Sequence, residues 1–224
     1  MEKTVTAVLV AAGSSRRMGF DKLSAPLGGG TVLSASVAAF DRHPLVTDLV
    51  LVTGADETAA RAAAARCQKP VALVKGGATR ALSALAGVRA AKGELVAIHD
   101  AARPFVSEEV ITRVLEAAEK TGAAAPAVPV KDTVKRARDG LVTATLDRAE
   151  LRAVQTPQVF QVDLIKTALQ KALEDGAELT DDCAAVERLG IGVALTEGDY
   201  CNLKLTTPED LTVAEALLAW REEQ

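Results

Sequence analysis

Basic side chains gather in one short turn near the start of the chain. The stretch LVAAGSSRRMGFDKL, residues 9–23, leaves an apolar run at Gly13, passes Ser14 and Ser15, and then brings Arg16, Arg17 and Lys22 close together. Small residues let backbone N–H groups face outward, and arginine or lysine adds charge-assisted hydrogen bonds, so such a turn suits phosphate oxygens. Its spacing matches neither GxxxxGK[ST] nor GxGxxG. Taken alone, an ordinary strand-to-helix connection with solvated cations fits equally well.

Two further stretches carry residues of the right type. LVAIHD, residues 95–100, ends an apolar run on His99 and Asp100. A carboxylate at a strand's carboxyl edge can hold a magnesium ion or a ribose, although an aspartate there is more often a turn or cap. Arg103 either joins that chemistry or braces the loop, and His99 reads as structural. In GGATRALSALAG, residues 76–87, Gly76 and Gly77 mark a strand exit and a helix starts near Thr79. Arg80 and Ser83, three apart, share one helical face near the positive end of the dipole, a place for phosphate or a base.

These residues need a scaffold, and the pattern supplies one. Short apolar runs at 6–11, 49–53, 71–75, 95–100 and 124–130 alternate with stretches whose apolar residues recur every three or four positions. Continuous apolar strands are buried on both faces, which predicts an α/β fold with a mostly parallel sheet flanked by helices. Ligands in such sheets bind beyond the carboxyl ends of strands, where Gly13, Gly76 and Asp100 all fall. After Val130 the rhythm changes. Residues 131–155 carry an Asp-Gly turn between alternating polar and β-branched residues, a β-arm with little apolar surface of its own, suited to a flap or to packing on another subunit. Thr207, Pro208 and Glu209 open a last helix. One domain covering 1–224, arm included, is expected.

Composition narrows the classes. The 224 residues are 49% apolar and 25% charged, with a net charge of −4, enough for one large core and unsuited to a general nucleic-acid or membrane-surface binder. Six aromatics are too few for a base-stacking platform. Three widely spaced cysteines without a CxxC pair read as reduced thiols in a cytoplasmic protein, and no signal peptide or membrane-spanning run is apparent.

The motifs together resemble a known family. LVAAGSSRRMGFDKL is similar to the signature loop of the sugar-phosphate nucleotidyltransferases, whose fold is Rossmann-like, and RMGFDK alone also resembles the molybdopterin guanylyltransferases. GGATRALSALAG, HDAARPF, VKDTVK with LDRAELRAVQTPQVF, and TDD followed by NLKLTTPEDL resemble the 2-C-methyl-D-erythritol 4-phosphate cytidylyltransferases, in that family's order and across residues 8–211. The resemblance implies transfer of a cytidylyl group from CTP to methylerythritol phosphate, with pyrophosphate released and Mg2+ as cofactor. It implies Arg17, Lys22, Arg148 and Lys204 as catalytic, and nucleotide contacts at Ala11, Ala12, Gly13, Ser14, Ser15, Gly76, Arg80, Ser83, Asp100 and Ala101, with Asp100 also at the metal. It implies that Thr133, Arg148, Thr180 and Lys204 grip the second substrate, the arm crossing to a neighbouring subunit of a homodimer. Without the resemblance, Thr133, Arg148 and Lys204 would read as solvated polar residues. Ribitol-5-phosphate cytidylyltransferase and molybdopterin nucleotidyltransferase are the alternatives, and a non-catalytic nucleotide sensor would not need the second set of residues. From the 224 residues, no fused second pathway enzyme is expected.

Overall fold

The chain is a three-layer α/β structure, and its computed structural model describes residues 3–13 and 21–222. Ser14, Ser15, Arg16 and Arg17 of the opening turn therefore lie outside the described residues. Four parallel strands form the backbone of the sheet: β1 (Val5–Val10), flanked on one side by β4 (Asp48–Thr53) and β5 (Val71–Lys75), and on the other by β6 (Leu95–Asp100). A minor hairpin, β2 (Pro26–Leu27) with β3 (Gly30–Thr31), precedes the first helix. Beyond β6 the sheet becomes mixed. β11 (Gln158–Gln161) lies antiparallel between β6 and β7 (Ala123–Pro129), β12 (Ala194–Glu197) runs parallel to β7, and β10 (Arg152–Val154) pairs antiparallel with the last residues of β7.

Alternation along the strands feeds two cores. Val5, Ala7 and Leu9 of β1 face one layer, made by α1 (Val32–Arg42), α2 (Thr58–Ala64), α4 (Glu108–Thr121) and α7 (Pro208–Glu222). Val8 faces the other, made by α3 (Arg80–Ala90), α5 (Val162–Glu174) and the short α6 (Cys183–Glu187). Burial on both faces is what makes these strands continuous apolar runs. Gly87 sits mid-helix where α3 meets the sheet. A Cβ there would overlap Val8 Cγ1 and come within 2.8 Å of Val52 Cγ2, so the glycine is what lets α3 lie so close to β1 and β4.

Helix ends follow local chemistry. Thr31 caps α1 in a reciprocal capping box with Ser34, Thr79 accepts the Leu82 N–H at the start of α3, and α4 runs from a Ser107 cap to Gly122 at φ +85°.

The polar excursion after β7 is a hairpin, β8 (Lys135–Arg138) with β9 (Leu141–Thr145), turning at Asp139 and Gly140 with φ +50° and +78°. Two consecutive positive-φ residues are the requirement of a tight hairpin turn, which Asp-Gly satisfies. The free arm is shorter than the 131–155 expected, because β10 returns residues 152–154 to the main sheet. Leu141 and Val142 on β9 are 73% and 62% exposed, so the arm has no core of its own within one chain.

Candidate active site

β1 is the point where the strand order reverses, with β4 and β5 to one side and β6 to the other, and ligand crevices form at such switch points. The last residue of β1, Val10, is registered against Asp100 at the end of β6. A cleft of about 390 Å³ opens there, lined by Ala12 and Gly13 after β1, Gly77 to Arg80 after β5, Ser83 of α3, Asp100, Ala101 and Ala102, with Lys22 and Lys204 at its wall. Chain segments separated by nearly two hundred residues thus meet at the carboxyl ends of three strands.

Asp100 is the floor of the cleft. Its Oδ2 accepts from Lys204 Nζ at 2.6 Å, and its Oδ1 faces Arg80 Nη2 and Nε at 3.3 Å. Burial alone would raise its pKa, but Arg80 and Lys204 outweigh that and hold the carboxyl well below the usual carboxylate range. Beneath it runs a buried polar chain. The Asp100 N–H donates to Thr156 Oγ1 (3.1 Å), the Thr156 hydroxyl lies 3.0 Å from His99 Nδ1, and His99 Nε2 lies 3.1 Å from the Arg103 carbonyl. A carbonyl only accepts, so His99 carries its proton on Nε2 and accepts from Thr156 at Nδ1. Burial, ahead of all other influences, lowers the His99 pKa to about 4, and the ring is neutral.

The second anchor of Arg80 is one that the motifs do not reveal. Asp182, 1% exposed, takes Arg80 Nη1 and Nη2 in a fork at 2.9 and 2.8 Å. Gln158 of β11 accepts the backbone N–H of both Asp182 and Cys183 at 3.0 Å and donates to Asp181 at 2.7 Å, while Asp181 caps α6 through the Ala184 N–H. The stretch TDD shows adjacent carboxylates suited to a helix start, and only Asp181 has that role; nothing local distinguishes Asp182 as the residue aimed at α3.

One wall is a strap formed by residues 202–205. Arg103 Nη1 donates to the Asn202 carbonyl at 2.6 Å, Asn202 Nδ2 to the Thr156 carbonyl at 2.9 Å, Leu205 N to the Ala102 carbonyl at 2.9 Å, and Lys22 Nζ to the Leu205 carbonyl at 2.9 Å. Arg103 is thus a brace of this loop. The strap carries Lys204 to Asp100.

The remaining expected residues distribute as follows. Gly76 packs behind the cleft, where a Cβ would lie 2.5 Å from Ala12 Cβ and 2.8 Å from Ser83 Oγ; only glycine fits between these two segments. Ser83 lines the cleft, its hydroxyl donating to the Thr79 carbonyl and accepting from the Gly77 N–H. Ala11 is tied to β4 through the Val52 carbonyl. Thr133 and Arg148 are exposed on the arm and do not line the cleft of their own chain; Arg148 Nη1 donates to the Lys131 carbonyl at 2.6 Å and borders a separate groove with Asp147 and Arg152. Thr180 is exposed, two residues before Asp182.

A Rossmann-like sheet whose switch-point carboxylate is flanked by lysine and arginine is the frame of a nucleotide-binding enzyme, and the comparisons make it a nucleotidyltransferase. Comparison with known proteins gives the particular family. The family model described as 2-C-methyl-D-erythritol 4-phosphate cytidylyltransferase matches residues 5–220. The enzyme of that name from Caldanaerobacter subterraneus subsp. tengcongensis is 45% identical, the match covering 96% of this chain and 98% of the relative. A bifunctional enzyme, IspD/IspF, from Bradyrhizobium sp. (strain ORS 278) is 47% identical over 95% of this chain, which spans only 56% of that protein. Among solved structures, 4-diphosphocytidyl-2C-methyl-D-erythritol synthase from Anaerococcus prevotii superposes with a TM-score of 0.88 at 33% identity, covering 97% of this chain and 96% of that one. The cytidylyltransferase from Thermus thermophilus gives a TM-score of 0.78 at 35% identity, covering 95% and 98%. The chain belongs to the 2-C-methyl-D-erythritol 4-phosphate cytidylyltransferase family.

Proposed function

We propose that the cleft at the ends of β1, β5 and β6 is where the cytidylyl group of CTP passes to 2-C-methyl-D-erythritol 4-phosphate, giving 4-diphosphocytidyl-2-C-methyl-D-erythritol and pyrophosphate. The observation that carries this reading is Asp100, an ionised carboxylate at the switch point with Arg80 on one oxygen and Lys204 on the other. A phosphate oxygen of the acceptor attacks the α-phosphorus in line as pyrophosphate departs. That phosphate is already anionic near neutral pH, so positioning and charge neutralisation supply most of the rate. Lys22 and Arg17 stabilise the charge of the pentacoordinate transition state, Lys204 and Arg148 set the attacking phosphate in line, and Thr133 and Thr180 hold the sugar chain. Arg80, Ser83 and the backbone of Ala11 to Ser15, Gly76 and Ala101 hold the nucleotide.

Among the described residues no group of three or more His, Cys, Asp or Glu side chains gathers as a ready-made metal cage. A single carboxylate kept ionised in the cleft fits Mg2+, a cation that needs only one or two protein carboxylates beside a phosphorylated substrate. Asp100 would hold the ion, which when bound neutralises charge on the phosphate oxygens.

Because Thr133 and Arg148 stand away from their own chain's cleft on an arm with exposed Leu141 and Val142, the working unit is a homodimer in which each arm completes the partner's site. Free thiols at Cys67, Cys183 and Cys201 suit the cytoplasm. No helix among the described residues is long and apolar enough to cross a membrane. The net charge of −4 gives no support for nucleic-acid binding.

The test is pyrophosphate release with each of the four nucleoside triphosphates and either methylerythritol phosphate or ribitol 5-phosphate. Release confined to CTP with methylerythritol phosphate is expected. Release confined to another triphosphate, or to ribitol 5-phosphate, would overturn the assignment, and with molybdopterin as a third acceptor release confined to it would do the same.

A further inference from the structure

We infer that Asp182 is a positioning residue for the nucleotide site, acting through Arg80. This rests on the proposed nucleotide role of Arg80 and adds a residue to it. Arg80 stands at the first position of α3, and its long side chain has many rotamers among which the site must choose one. Asp182 restricts it from the far side. Its two oxygens take both terminal nitrogens of the guanidinium at 2.9 and 2.8 Å, a fork that fixes the plane of the group as well as its position. Asp100, at 3.3 Å on Nε and Nη2, is the looser partner. Arg80 is thus held with one edge toward Asp182 and the adjacent edge toward the floor of the cleft.

Asp182 is itself immobilised. Its side chain is 1% exposed, and its backbone N–H is held by Gln158 Oε1, a side chain of β11 that also grips Cys183 N–H and the Asp181 carboxylate. The arrangement ties α3 to the start of α6 through a strand of the main sheet. Fixing one arginine in this way is a poor stability device, because taking a carboxylate fully out of water roughly cancels the gain of pairing it. It is a good orienting device.

Charge balance adds a second effect. Two cations, Arg80 and Lys204, face two carboxylates, Asp100 and Asp182. With Asp182 in place, Arg80 is already neutralised and Asp100 is shared. Without it, Arg80 loses the fork that sets its plane, pairs with Asp100 alone, and takes up the carboxylate that Lys204 now shares.

The experiment is a double-mutant cycle on Asp182→Asn and Arg80→Ala in the full chain, read by calorimetric CTP affinity, by KM for each substrate, and by thermal melting. Asp182→Asn is expected to weaken CTP binding roughly tenfold to a hundredfold, the range for losing one charge-assisted hydrogen bond. KM for methylerythritol phosphate should stay unchanged, and Asp182→Asn should add nothing to the CTP loss already caused by Arg80→Ala. Asp182→Glu should recover part of the affinity. Arg80→Lys, which keeps the charge but cannot fork, reads the same pair if Asp182→Asn does not fold, and should lose CTP affinity to a similar extent with melting unchanged. A purely structural Asp182 would lower the melting temperature while leaving CTP affinity intact, or give effects additive with Arg80→Ala; either result overturns the inference. Wild-type protein that binds no CTP would overturn both this inference and the function on which it rests, whereas additive effects in a CTP-binding protein would overturn the Asp182 role alone.

Discussion

Lys204 Nζ lies 2.6 Å from Asp100 Oδ2, the shortest contact either residue makes in the cleft among the described residues. The two are 104 positions apart, and the strap at 202–205 is what brings them together. Lys204→Ala removes the nearer cation from Asp100 and, on the proposed function, the charge that sets the attacking phosphate. Turnover should fall on the order of 10²–10³-fold, the cost of losing one preorganised charge contact. Circular dichroism should show the fold retained, since the strap keeps its backbone bond from Leu205 N to the Ala102 carbonyl. Steady-state pyrophosphate release checks the first expectation, and turnover like that of the wild type would remove Lys204 from the mechanism.

His99 sets an acid limit on stability. Its folded pKa is lowered from 6.5 to about 4, because burial disfavours the charged ring. The unfolded chain therefore binds the extra proton first as pH falls, and stability is lost between about 6.5 and 4, being fully present above that window. The loss amounts to about 3 kcal/mol across the window, from the size of the shift. Urea denaturation at stepped pH should show it in the wild type, with a flatter profile in His99→Asn, a variant less stable at neutral pH for want of the ring's packing and its bond to Thr156.

Exchange of arms predicts a mixing result. Lys22→Ala disables the cleft and Arg148→Ala disables the arm, each leaving little turnover in its own homodimer. Co-expressed and purified through both tags in turn, the mixed dimers should contain one intact site of two, returning about half of wild-type activity, against about a quarter in an unselected random mixture. Arms that serve their own chain's cleft would give no recovery.

Gly87→Ala probes the seam between α3 and the sheet. Alanine is the better helix former by ~1 kcal/mol, yet the added methyl overlaps Val8 Cγ1. Overpacking costs about 1–3 kcal/mol, so a net lowering of the urea midpoint is expected. A raised midpoint would show that α3 can lift from the sheet freely, and the start of that helix, with Arg80, would then be less firmly placed than the packing indicates.

What can be read in the sequence follows the physics of burial. β5 and β6 coincide with the expected 71–75 and 95–100, because a parallel strand covered on both faces writes its limits as an apolar run. β11, four residues of QVFQ, and β12, half exposed along ALTE, carry no such signal. Their places beside β6 and β7 depend on long-range pairing that no local pattern encodes. In the site, Lys22, Arg80, Ser83, Asp100 and Lys204 do converge. Asp182 escapes a reading of the motifs because a carboxylate at a helix start looks the same whether it caps its own helix or reaches across to another. Gln158 and Thr156 escape it because a neutral side chain buried under a site leaves no trace in charge or spacing.

The strap has a consequence for how the protein is made. Asp100, Ala102 and Arg103 receive their partners from residues 202–205, so the cleft has no closing wall while the ribosome is still translating the hundred or so residues between them. Until residue 205 has left the exit tunnel, the emerging polypeptide lacks both Lys204 for Asp100 and the Asn202 carbonyl that braces Arg103. The wall of the cleft is thus made about a hundred residues after its floor, and a chain that stops short of residue 202 carries the sheet without that wall.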